Sequence, residues 1–129
     1  MTSELKWLAF STLFGLASVL IAGAFGTQQR GLLWNAGNRD GEIKPLTGAA
    51  ARAVRANANF LETFPFFAAA VLAVAVSNHG TPHTAFGAAL YFWGRLVYLP
   101  VYIIGIPYLR TLIWAVSIWG LLQVIEVLL

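Results

Sequence analysis

Four stretches of roughly twenty or more largely apolar residues fill most of this chain, each long enough to cross a bilayer as a helix. They run over 5–26, 48–77, 83–104 and 108–129. The remainder of the 129 residues is loop and chain end, so one compact helical bundle is expected and no second domain. Composition agrees. Hydrophobic residues make up 59% and charged residues 10%, against about 45–50% and 25% in soluble domains. A soluble protein this short has too little interior to hide that apolar surface. A soluble enzyme, a DNA-binding domain and a disordered tail are excluded. The net charge of +3 comes from only eight Lys and Arg with no run among them, which excludes a nucleic-acid partner.

The first stretch carries Ser11, Gly15, Ser18, Ala22 and Gly26 on one helical stripe. Small residues at that spacing let helices approach closely in lipid. Ala22-Gly23-Ala24 has the pattern of a signal-peptidase site, but the stretch is read as a span that stays in the membrane. Residues 27–46 form the one long loop, with a turn at Asn38-Arg39-Asp40-Gly41. Thr47 is the expected N-cap of the second span. Pro65 divides that span and is expected to kink it.

Arg30, Arg39, Lys44, Arg52 and Arg55 lie in or beside the long loop, and Arg110 follows the turn between spans three and four. The opposite side has Lys6 alone. The positive-inside rule therefore places loop 27–46 in the cytoplasm and both termini away from it. For a bacterial chain the membrane is the inner, or plasma, membrane.

The polar residues inside the spans are ordered. Arg52, Arg55, Asn59 and Glu62 fall within an arc of roughly 80° on span two. Tyr91, Arg95, Tyr98 and Tyr102 fall within about 60° on span three. Both faces are expected to point into the protein, because a charge at a helix centre costs ~2.5–3.5 kcal/mol on insertion scales. The expected remedy is a Glu62–Arg95 ion pair, or a ligand that satisfies one of them. Several Arg in an apolar cleft attract carboxylates. An amide such as Asn59 can both donate to and accept from a peptide backbone. The ligand is then a small zwitterion or anion with more than one carboxylate.

There are no cysteines, so any reactive thiol must arrive with a substrate. His79 and His83 have metal-like spacing, but Pro82 interrupts them and no third ligand is near. No metal is expected.

The run Arg52-Ala-Val-Arg55-Ala-Asn57-Ala-Asn59-Phe-Leu-Glu62-Thr-Phe-Pro65 resembles the second-helix signature of the MAPEG superfamily, the membrane-associated proteins in eicosanoid and glutathione metabolism. Arg95-Leu-Val-Tyr98-Leu-Pro-Val-Tyr102 resembles its third-helix signature. The chain looks like a small, bacterial-type member. The resemblance implies a homotrimer of four-helix protomers with glutathione, as co-substrate, bound between neighbours near the cytoplasmic side. It implies that Arg55, Asn59 and Glu62, with Arg52, Asn57 and Arg95 beside them, hold glutathione. Tyr98 and Tyr102 line the cleft, and Arg30 reaches in from the neighbouring subunit. Arg110, helped by Thr111, stabilises the glutathione thiolate. The other partners implied are lipids and a small lipophilic substrate.

Some positions depart from the eicosanoid enzymes. The segment from Tyr102 to Arg110 is one residue longer than in the leukotriene-synthase-like pattern. Trp114 and Thr63 stand where relatives carry Tyr. A detoxifying glutathione transferase or peroxidase therefore fits better than an eicosanoid synthase. The alternative is a non-enzymatic protein of the same fold that binds a thiol or lipid-like ligand. A proton-coupled drug transporter is disfavoured, since span one has no carboxylate inside it.

Overall fold

The computed structural model describes all residues, Met1–Leu129, and they are helical with short connections. The elements are α1 (Ser3–Arg30), α2 (Leu32–Ala36), α3 (Gly48–Ser77), α4 (Pro82–Ile104) and α5 (Pro107–Glu126). All but the five-residue α2 are long and apolar enough to span a membrane. In hydrocarbon every backbone N–H and C=O must be paired within the segment, so helices are what these sequences can form.

α1 packs on α3 and α4, and α4 packs most extensively on α5. The small stripe of α1 faces inward: Ser11, Ser18 and Ala22 are buried. At Gly15 a methyl would stand 2.8 Å from Cε1 of Phe60, so that position must lack a side chain. The α4–α5 seam is closer still. A Cβ on Gly87 would lie 2.5 Å from the carbonyl oxygen of Gly120, and a Cβ on Gly94 2.9 Å from the Cβ of Ser117. Sequence reading missed this seam. Phe67 and Tyr91 stack at 4.0 Å between ring centroids in the core, and the Tyr91 hydroxyl is 2.9 Å from that of Thr63. The outer face of α1, with Phe10, Leu13, Leu16 and Leu20, is left exposed, as a lipid-facing surface should be.

Several local expectations change. α1 runs on to Arg30, and α2 adds one further turn of helix inside the long loop. Thr47 occupies the N-cap position of α3, but its side chain caps nothing. The Gln29 amide instead clamps the Thr47 backbone, donating to its carbonyl at 2.9 Å and accepting from its N–H at 3.0 Å. This ties the end of α1 to the start of α3. α3 is one helix with Pro65 inside it, so the two halves read from the sequence belong to a single element. α4 opens with Thr81 and Thr84 in a reciprocal capping box and Pro82 in its first turn. The Thr84 hydroxyl also meets Glu4 Oε1 at 2.5 Å. His83 pairs with Glu126 at 2.9 Å, joining the start of α4 to the end of α5.

Candidate functional site

The end of the bundle that carries Arg52, Ile103 and Arg110 gathers most of the positive charge. Arg52 Nε donates to the Ile103 carbonyl at 2.8 Å, which fixes the N-terminal part of α3 against the last turn of α4. Such a bond is available because the last four carbonyls of a helix have no partner within it. Arg55 Nε donates to the Tyr102 hydroxyl at 3.2 Å. Arg110 lies 4.3 Å above the Tyr102 ring. One aromatic residue thus orders two guanidinium groups, one by its hydroxyl and one by its face. The longer Tyr102–Arg110 connection has not carried Arg110 away from the site. Gly105 absorbs it with a φ of +97°, a conformation that favours glycine.

Arg52, Arg55, Tyr102, Gly105, Pro107 and Arg110 enclose a cavity of about 170 Å³. Three guanidinium groups face it, and none has a carboxylate partner, because the chain's one ion pair is His83–Glu126. A second cavity of about 210 Å³ lies on the other side of Arg110, lined by Asn59, Tyr98, Arg110, Thr111 and Trp114. Arg110 Nε and Trp114 Nε1 are buried without a hydrogen-bond partner in the chain. Buried donors are nearly always paired, so these two mark a place where an acceptor is missing. Thr111 lines this cavity too, but its hydroxyl donates back to the Pro107 carbonyl at 3.2 Å.

The α4 residues Tyr91, Arg95, Tyr98 and Tyr102 are all buried, as expected of an inward face. The α3 set differs. Arg52 and Asn59 are half-buried, but Arg55 and Glu62 are exposed on the protomer. The expected Glu62–Arg95 ion pair does not form. Arg95 is 1% exposed and sits inside the protomer, while Glu62 is turned outward. Arg95 Nη2 instead donates to Asn59 Oδ1 at 2.8 Å. Its guanidinium also lies 4.4 Å from the Tyr98 ring centre and 5.7 Å from that of Phe60. Desolvated cation–π contacts are worth about 2 kcal/mol, comparable to the insertion cost of the charge. Arg95 lines neither cavity, so direct contact with a ligand, expected from its place on the motif, is not what the geometry offers.

Arg30 and Asn57 stand apart from the other expected ligand residues. They line a third cavity of about 300 Å³ on the α1 side of α3, together with Trp34 and Arg39. Asn57 is two residues from both Arg55 and Asn59, which is about 200° around a helix, so it faces away from them. Within one protomer, Arg30 and Asn57 line a different cavity from Arg55 and Arg110. Arg30 Nε donates to the Lys44 carbonyl at 2.8 Å, and Trp34 packs between Arg30 and Arg39 at 5.2 and 5.7 Å. Trp114 and the Trp34 shelf are the residues that sequence reasoning had not placed in any cavity. Only the position of Trp114, one turn after Arg110, hinted at its role.

A family model described as "MAPEG family" matches residues 7–127. The chain belongs to the MAPEG family. Comparisons with curated proteins and with solved structures find no significant match. Family and fold together make this an integral multi-pass membrane protein of the glutathione transferase and eicosanoid-synthesis kind. MAPEG proteins are generally oligomeric.

Proposed function

We propose that this protein is a membrane-bound, glutathione-dependent transferase or peroxidase that activates the glutathione thiolate toward lipophilic electrophiles or hydroperoxides. The observation that carries the reading is the trio of Arg52, Arg55 and Arg110 around one small cavity with no carboxylate to neutralise them. Such a site favours an anion with more than one negative group, and glutathione has two carboxylates and an ionisable thiol. A free thiol, with a pKa of about 8.5, is mostly protonated at neutral pH. A guanidinium beside it favours the thiolate, which is the nucleophile. The first turn of α5, where Arg110 lies, adds the positive end of a helix dipole. The thiolate then attacks the electrophile and forms a thioether, displacing its leaving group or adding to its activated double bond. With a hydroperoxide it attacks the terminal oxygen and breaks the O–O bond, which releases the alcohol and leaves glutathione sulfenic acid; a second glutathione then forms the disulfide with loss of water.

The working unit in this reading is a homotrimer. Its support is the split of the expected ligand residues between two sides of α3. Arg30 and Asn57 of one copy can meet Arg55 and Arg110 of the next only across an interface. The exposed Arg55 and Glu62 on a spanning helix also call for cover by another protein surface. Glu62, next to that interface, would receive the glutathione amine.

Purified protein in mild detergent should have the mass of a trimer and should consume glutathione when a lipophilic aromatic electrophile or a lipid hydroperoxide is added. Glutathione binding without turnover on either class of substrate would favour the non-enzymatic alternative. No glutathione binding would overturn the proposal.

The positive end is assigned to the cytoplasm. The native chain has no cysteine, so a single cysteine introduced at Glu42 gives a clean test. It should react with a membrane-impermeant maleimide only after the cells are opened. Labelling in intact cells would reverse the assignment.

A further inference from the structure

Each residue lining the two cavities can offer a ligand donors, acceptors or both. Asn59 is the one whose offer can be deduced. An amide carries an acceptor oxygen and a donor nitrogen, and the two are exchanged by a half-turn. Arginine has only donors. Its buried partner on Asn59 must therefore be the oxygen, and the Arg95 Nη2 to Asn59 Oδ1 distance of 2.8 Å fits that. The assignment does not rest on a choice of amide orientation, because the reverse one would set two donors against each other. Arg95 is itself 1% exposed and flanked by the Tyr98 and Phe60 rings, and the bond to Asn59 is its one hydrogen bond within the chain, its Nε and Nη1 having no partner. With its oxygen turned to and engaged by Arg95, Asn59 has its two N–H bonds to offer the cavity it shares with Tyr98, Arg110, Thr111 and Trp114. The two partnerless nitrogens of that cavity, Arg110 Nε and Trp114 Nε1, are donors as well.

We propose that Arg95 is a positioning residue that turns Asn59 so that it meets the ligand through N–H alone. The ligand group seated among Asn59, Trp114 and Arg110 is then an acceptor, a carbonyl oxygen, carboxylate or thiolate, and not an amine or amide N–H. This rests on the proposed glutathione site and sharpens it. Asn59 does not read both edges of a peptide bond, as its side-chain type alone would allow. The ammonium end of the ligand must lie elsewhere.

The test uses the full-length protein in detergent, with glutathione as the probe. Asn59→Asp gives Arg95 a charged acceptor, which makes a stronger hydrogen bond, and removes the donor from the cavity. The expected result is an unchanged or higher Tm with glutathione binding weakened about tenfold or more. Binding equal to wild type or tighter would mean that Asn59 accepts from the ligand, and would overturn the proposal. Arg95→Gln, which can face Asn59 with either end of its amide, should raise KM for glutathione about tenfold with a much smaller change in kcat. Arg95→Lys, which keeps a donor toward Asn59, should restore most of that loss. Equal losses in both variants, tracking Tm, would reduce Arg95 to a structural role. If wild type itself binds no glutathione, the proposed function fails, and the orientation is judged by stability alone. The Asn59→Asp and Arg95→Gln changes should then be non-additive in Tm, and additivity would overturn the orientation too.

Discussion

Replacing Arg110 by alanine is expected to remove the thiolate absorbance of bound glutathione and to lower kcat by about 10²–10³-fold, the usual consequence of deleting one preorganised hydrogen-bond donor to a developing or formed anion. The protein should still fold, because Arg110 is only partly buried and contributes one aromatic contact to the bundle. The pH dependence gives an independent reading. With Arg110 present, the thiolate is already formed near neutrality, and the rate should be nearly flat above it. In Arg110→Ala the thiol returns toward its free pKa of about 8.5. The rate should then climb as pH rises toward that value, since only the ionised form attacks. Arg110→Lys should fall between the two. It keeps the charge but loses the planar group that lies on the Tyr102 ring. A variant with wild-type turnover and a wild-type pH profile would remove Arg110 from the chemistry.

The largest effect on stability is expected at the α4–α5 seam. Gly87→Val or Gly120→Val puts carbon where the facing backbone already stands, 2.5 Å from a carbonyl oxygen in either case. Neither neighbour is a flexible side-chain tip that could swing aside. Overpacking costs about 1–3 kcal/mol and sometimes more. Backbone against backbone belongs at the upper end, so a large fall in detergent Tm is expected. The same substitutions should reduce activity in the protein that does fold, because the seam sets Arg110 on α5 against Tyr102 on α4. Gly23→Ala is the control. A methyl there meets nothing within 4 Å, and Tm should hold or rise slightly. Equal stability of the seam variants and the control would show that the helices do not pack as described.

The helices were legible because lipid imposes one strong rule, about twenty apolar residues for each crossing. The inward face of α4 was legible for the same reason, since Arg95 is too costly to leave in hydrocarbon and its tyrosines follow it by helical spacing. What Arg95 would pair with was not legible. Charge alone suggested Glu62, whereas the fold puts Asn59 within reach and turns Glu62 outward. The Gly87–Gly120 approach was missed because each glycine is unremarked on its own helix, and their meaning lies in the pairing of two helices. Trp114 was noticed only as a substitution for Tyr. Its significance comes from being buried, partnerless and beside Arg110. The separation of Asn57 from Arg55 is already implied by their helical spacing, whereas that of Arg30 lies in the cavities on either side of α3.

The central claim is that Arg110 holds a glutathione thiolate in a site shared between copies of this chain. An experimental structure of the detergent-solubilised protein soaked with glutathione tests it most directly. The predicted result is a trimer with the glutathione sulfur within about 3.5 Å of the Arg110 guanidinium, the Asn59 nitrogen on an acceptor atom, and Arg30 of the adjacent copy against the same molecule. Glutathione lodged away from Arg110, or held wholly within one protomer, would contradict it.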